Sequence, residues 1–170
     1  MYDIKSLKGL ELEFKDSCFS HFIEFFTNYD YEDIKGKVKK NIISSHSDIN
    51  RILYGPGFYL ILTDYMSQEN ECTLQVGELK VIYRGHGVRV RKRVESHLYN
   101  DKYNRDKGGT NYSVCMKLND DNGININEAP YSGHSWAVIQ HSMPNSSKVI
   151  REQAEQAFDE VFNQPVGSND

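Results

Sequence analysis

The chain has 170 residues with a formal net charge of −4, eleven Tyr and eight Phe, which is enough to bury the core of one domain and too aromatic for a disordered chain. Cys18, Cys72 and Cys115 are odd in number with no CxxC pair, so neither a disulfide framework nor a zinc knuckle is expected. No membrane span is expected either. The N-terminus has no apolar stretch of the signal-peptide kind, and the longest apolar run, Phe58 to Leu62, is too short to cross a bilayer. The expected location is cytoplasmic, or secreted for an exported toxin.

In chain order, Leu10, Leu12 and Phe14 alternate as in a short strand. After Asp16, a good N-cap, Cys18, Phe19, Phe22, Ile23, Phe26 and Tyr29 share one face of a helix. Ile34, Val38 and Ile42 recur every four residues and predict a Lys-rich helix interrupted by Gly36, and Asp48 predicts the cap of a short helix up to Tyr54. Residues 1–54 are therefore expected to form a helical accessory segment packed on a core of residues 55–170. Gly55-Pro56-Gly57 marks the boundary.

From there the pattern turns to strands. Phe58 to Thr63 is apolar on both faces, the mark of a central strand. A polar loop, Asp64 to Glu78, leads to a second strand at Leu79–Tyr83, the two forming an antiparallel hairpin. Arg84-Gly85-His86-Gly87 predicts a break, and Val90, Val94 and Leu98 predict a helix. Residues 99–133 are read as an insertion: a polar loop, a strand over Asn111–Leu118, and a turn through Asp120–Gly123 toward Ile124 and Ile126. Ser135–Gln140 is a further strand. A last helix carries Ile150, Ala154, Ala157, Phe158 and Val161 on its apolar face and ends near Pro165. The class is α+β: a small central antiparallel sheet flanked by helices, with an N-terminal helical extension and an inserted hairpin.

Charge is segregated. Residues 80–107 hold nine cations against three anions, a net +6 that leaves −10 for the rest. One face is thus suited to phosphates while the remainder keeps the chain soluble. Within this stretch Arg89, Arg93 and His97 sit four apart, a cationic edge beside the apolar stripe of the helix. His134 and His141, flanking the Ser135–Gln140 strand, are read as structural or phosphate-contacting.

Five ordered positions carry a family resemblance. Gly57-Phe58-Tyr59 is followed by Tyr83-Arg84-Gly85, with Arg93 ten residues beyond the second tyrosine, His97 four later, and a glutamate on the last helix. Over about residues 57–165 the chain resembles the GIY-YIG nuclease superfamily, with Arg84 in place of the usual aliphatic residue. The resemblance implies a GIY-YIG-like core and phosphodiester hydrolysis. Tyr59 and Tyr83 would position the water, one of them as general base, Arg93 would clamp the phosphate, His97 would hold that tyrosine or share the proton work, and one glutamate would hold a divalent ion, magnesium or else manganese.

On the last helix Glu155 lies roughly 110° from the centre of the apolar stripe and Glu152 roughly 170°. Glu155 is therefore the expected ligand and Glu152 the reserve. Arg84, His86, Arg89, Lys102, Arg105 and Lys107 are expected phosphate or nucleic-acid contacts, with Tyr99, Tyr103 and Tyr112 available for stacking. The functional expectation is a metal-dependent DNA endonuclease, stand-alone and of restriction type, dimeric if it cuts both strands of a symmetric site. Its rivals are a nuclease toxin with the same chemistry and a catalytically silent nucleic-acid-binding module.

Overall fold

The computed structural model describes residues 1–66, 69–100 and 116–168. Lys102, Arg105 and Lys107, together with Tyr103, Tyr112 and most of the strand expected over 111–118, lie outside the described residues.

Asp3 opens α1, Ile4–Asn28, by accepting a hydrogen bond from the Lys5 amide. The strand expected at residues 10–14 is helical instead. Leu10, Leu12 and Phe14 are about half exposed or more, so no buried strand face rewards their alternation. Leu, Glu and Lys simply extend the amphipathic helix toward the N-terminus. The next expectation also changes: residues Val38–Ile42 form a strand, β1, and not a helix. Spacing by four is compatible with either period when only three apolar residues carry it. Exposed Lys39 and Lys40 suit the sheet edge that β1 occupies, so the first 54 residues are not all helical. A 3-10 turn follows over His46–Arg51, with Ser45 at its N-cap; Asp48 sits three residues in, where its carboxylate accepts from the Ser44 and Ser45 amides.

The remaining elements are β2 (Gly57–Thr63), β3 (Gln75–Val76), β4 (Leu79–Gly87), α2 (Val90–Leu98), β5 (Lys117–Leu118), β6 (Asp121–Asn122), β7 (Trp136–Ser142) and α3 (Lys148–Phe162). Five strands make one antiparallel sheet in the order β1-β7-β2-β4-β3. The completely buried β2 is central, as its unbroken apolar run predicts. A separate hairpin of β5 and β6 turns on Asn119 and Asp120, both at positive φ, the two-residue geometry that Asn and Asp tolerate.

Strand alternation divides the core in two. Phe58, Leu60 and Leu62 pack with Phe26 of α1 and with Ala154, Ala157 and Phe158 of α3. Tyr59 and Ile61 point the other way, onto Val90, Val94 and Leu98 of α2, the 3-10 turn and the segment from Met116 to Tyr131. Helix α2 is tied in register by its Val90 and Arg91 amides, which donate to the Gly55 and Leu53 carbonyls. A bulge beside Ile82 brings both Ile82 and Tyr83 to the α2 side; the Gly167 amide then takes up the Ile82 carbonyl at 2.7 Å. Among the described residues no helix is long and apolar enough to cross a membrane.

Phe26 joins α1 to the sheet, with ring centroids 5.6 Å from Phe58 and 5.5 Å from Phe158. Phe26→Ala is expected to cost about 3–5 kcal/mol, read as a lowered midpoint in urea unfolding; an unchanged midpoint would show that α1 is not part of the cooperative fold.

Candidate active site

On the α2 face the structure brings four of the expected residues together. Tyr59 on β2 and Tyr83 on β4 have ring centroids 6.0 Å apart, and the His97 ring lies 4.6 Å from that of Tyr83. The Tyr59 hydroxyl is 3.0 Å from His97 Nε2. Burial holds the Tyr59 hydroxyl well above the usual tyrosine value, with Tyr83 adding to the effect, and the charge of Arg93, one turn before His97 on α2, opposes that shift. Burial likewise pushes the His97 imidazole down to about 3, with the Arg93 charge acting in the same direction. At neutral pH His97 is therefore uncharged, and among the described residues its Nδ1 has no hydrogen-bond partner.

The glycine of Tyr83-Arg84-Gly85 has a different purpose from the turn expected of it. Residues 84–87 stay in β4, and Gly85 pairs with Tyr59 across the ladder. A Cβ on Gly85 would stand 2.8 Å from the Tyr59 hydroxyl and 2.9 Å from a Tyr83 ring carbon. Absence of a side chain is what lets the two tyrosines close over the strand.

Glu155 is not with this group. Arg84 and His86 alternate with Tyr83 and Gly85, so they face α3 on the opposite side of the sheet. The Arg84 guanidinium, 5% exposed, is clamped between Glu155 Oε1 and the Asp159 carboxylate, and His86 Nε2 lies 3.3 Å from Glu155 Oε2. Burial pushes the Glu155 carboxyl up, while the Arg84 charge opposes that shift. Burial lowers His86 to about 4, with Arg151 adding to the effect, so it stands beside Glu155 as a neutral ring. Glu152, the reserve, is more exposed and pairs with Lys148 at 3.4 Å.

A divalent ion at Glu155 would have to displace Arg84 or His86, on the face away from the tyrosines. Among the described residues no three His, Cys, Asp or Glu side chains gather as a metal site. The arrangement does not fit the ion that the family resemblance implies, and Arg84, the departure from the family pattern, is the physical reason.

The other titratable candidates separate cleanly. Arg89 is an exposed residue at the N-cap of α2. His141 is structural: its Nε2 is 3.1 Å from the Tyr31 hydroxyl and Phe25, Phe26 and Phe58 ring it. His134 Nδ1 is 3.1 Å from Asp64 near the surface. Sequence reasoning missed Arg151, which is 4% exposed. It lies seven residues before Phe158, hence on the same helical face, and an arginine inside an apolar stripe was the available signal. Compared with protein-family models, curated proteins and solved structures, the chain gives no significant match.

Two outcomes follow from these electrostatics. Removing Arg84 leaves Glu155 and Asp159 facing each other without a counter-charge. Arg84→Met is expected to lose about 3 kcal/mol, toward the lower end for a broken buried pair because both carboxylates retain some exposure. Adding Glu155→Gln and Asp159→Asn should recover most of it in urea unfolding; no recovery would show that packing, not charge, sets the loss.

His86, His97 and His141 have folded pKa values of about 4, 3 and 3, against 6.5 for the model imidazole. Above pH 6.5 neither the folded nor the unfolded form is protonated and their contribution is complete. As pH falls from 6.5 toward 4 the unfolded chain takes up protons that the folded chain refuses. Each group then removes about 1.4 kcal/mol of stability per pH unit. The urea midpoint should fall between pH 7 and pH 5, and a flat profile would contradict neutral, buried imidazoles.

Proposed function

We propose that this chain is a nucleic-acid phosphodiesterase of GIY-YIG type, a DNA endonuclease. The observation that carries it is the convergence of Tyr59, Tyr83, Arg93 and His97 on one face, from two neighbouring strands and the helix that follows them. Hydrolysis of a phosphodiester needs a water held in line with the leaving oxygen and a fixed positive charge where the transition state gains negative charge. Arg93 is permanently charged, partly exposed, and close enough to the Tyr59 hydroxyl to act on its ionisation, so it is suited to take a phosphate beside the tyrosines. The +6 stretch around it favours a polyanion.

In this proposal Tyr83 takes the water. Tyr59 is already committed to His97 and Arg93, and burial holds its proton on; it acts as a positioning residue. His97, neutral and hydrogen-bonded to Tyr59, fixes that tyrosine in place. The ion that the resemblance implies has no step here, because Glu155 is committed to Arg84.

That commitment is also the observation favouring a second reading, a nucleic-acid-binding module that retains the tyrosine face without turnover. Supercoiled plasmid and phage DNA, incubated with the protein in magnesium and in chelator, separate the two. Cleavage that falls by about 10²–10³ in Arg93→Ala, and by about 10² or more in Tyr83→Phe, is the expected result. Discrete fragments indicate a restriction-type enzyme and a smear the toxin. Binding without cleavage on several DNA and RNA substrates would overturn the enzymatic reading.

A further inference from the structure

Beyond the C-terminal end of β4, the first turns of α2 and α3 approach each other from opposite sides of the sheet. The cleft between them has a volume of about 310 Å³ and is lined by Arg89, Lys92, Arg93, Lys148, Arg151 and His86. Five of these six are permanently or ordinarily cationic, Gly87 and Val88 complete the described lining, and no carboxylate is among those described residues. Lys92 and Lys148 have carboxylate neighbours, Glu95 at 3.5 Å and Glu152 at 3.4 Å, but those pairs are partly solvated and loosely held.

Arg151 is the informative member. Its side chain is 4% exposed, yet among the described residues it has no carboxylate partner. Its Nη1 donates to the Ser146 carbonyl and hydroxyl oxygens, at 2.5 and 3.1 Å, and its Nε has no hydrogen-bond partner among the described residues. The carboxylate one turn further along, Glu155, is spent on Arg84 and His86. A buried guanidinium without a counter-ion is costly unless an anion completes it. A second orphan lines the same cleft: His86 Nδ1 is buried and has no hydrogen-bond partner among the described residues. Arg151 lies in the first turn of α3, where the helix dipole favours negative charge.

We propose that this cleft is a phosphate-binding site, with Arg151 as its buried anchor and Lys92 and Lys148 at its mouth, which takes a backbone phosphate of nucleic acid. Tetrahedral, multiply charged and rich in acceptors, phosphate matches a guanidinium with free donors among ammonium groups. Arg93 is the shared wall between this cleft and the tyrosine face: its side-chain Cγ would lie 3.3 Å from a Cβ on Gly87, while its guanidinium serves Tyr59. A phosphate in the cleft is therefore next along the strand to the one that Arg93 faces. The choice of nucleic acid as its source rests on the nuclease reading; binding of phosphate itself does not.

Thermal unfolding in inorganic phosphate, against chloride at equal ionic strength, tests the site alone. Stabilisation of the wild type is expected, with the apparent affinity about tenfold weaker in Lys148→Gln and in Arg151→Gln, the loss of one charge-assisted contact. Since Arg151 is buried, Arg151→Lys serves where Arg151→Gln does not fold, and exposed Lys148 is independent of that difficulty. Equal phosphate response in wild type and all variants would overturn the site.

Duplex DNA binding measured against salt tests the source. The logarithmic slope should be shallower by about 1 in Lys148→Gln than in the wild type. An unaltered slope with an altered phosphate response leaves a site for free phosphate and overturns the nucleic-acid assignment. DNA cleavage with unaltered phosphate response and slope sinks the cleft and spares the nuclease reading. Phosphate binding lost in the variants, with no DNA cleaved or bound, does the reverse.

Discussion

Two adjacent residues, Tyr83 and Arg84, set the architecture of both faces. In a strand they must point to opposite sides, so the chain places an aromatic hydroxyl against α2 and a guanidinium against α3 from a single step of backbone. Each side then recruits what its side chain needs. Tyr83 meets Tyr59 over Gly85 and packs on His97. Arg84, desolvated, draws Glu155 and Asp159 from α3 and a hydroxyl, Ser168 Oγ, to its own amide. The buried charge holds α3 and the C-terminal residues to the sheet, while its neighbour organises the opposite face. Moving the register by one residue would exchange them and satisfy neither.

The polar groups of the core follow the same logic on a smaller scale. Gln140, on the α2 side of β7, accepts from the Leu53 amide and so locks the loop that leads into β2. Its neighbour His141, on the α1 side, is held by Tyr31 and three phenylalanines. These contacts bind the N-terminal segment to the sheet through defined hydrogen bonds as well as through apolar area. Together with β1 on β7, they make residues 1–54 part of the sheet's own construction.

Legibility in the sequence depended on whether local pattern and tertiary context agreed. β2, β7, α2 and α3 have long, unambiguous apolar patterns and appear where they are expected. Three elements were misjudged for identifiable reasons. Leu10, Leu12 and Phe14 alternate by accident on an exposed helix; β1 has too few apolar residues to distinguish a period of four from a period of two; Arg84–Gly87 looked like a turn because glycine serves both turning and close approach. The family resemblance singles out Tyr59, Tyr83, Arg93 and His97, and one strand pair and one helix bring them together. Glu155 does not join them. A helical wheel tells which residues face the sheet but not which face of the sheet they meet, and the competing claim of Arg84 becomes visible only in three dimensions.

Helices α2 and α3 lie on opposite faces, so side chains from both can share a wall only past the end of a strand. β4 ends at Gly87, and there Arg93 crosses from the tyrosine side toward the cations of α3. Glycine at that position keeps the strand end thin enough for the arginine stem to lie against the backbone; a larger side chain would meet Arg93 Cγ at 3.3 Å and push it outward. The cationic groups are thereby concentrated at one end of the sheet, while the Glu155 and Asp159 carboxylates are held back under Arg84. Pairing those two acids with a buried guanidinium therefore stabilises α3 and also keeps their negative charge under Arg84. That separation leaves the cleft at the end of β4 with cations from both helices and, among its described lining residues, no carboxylate.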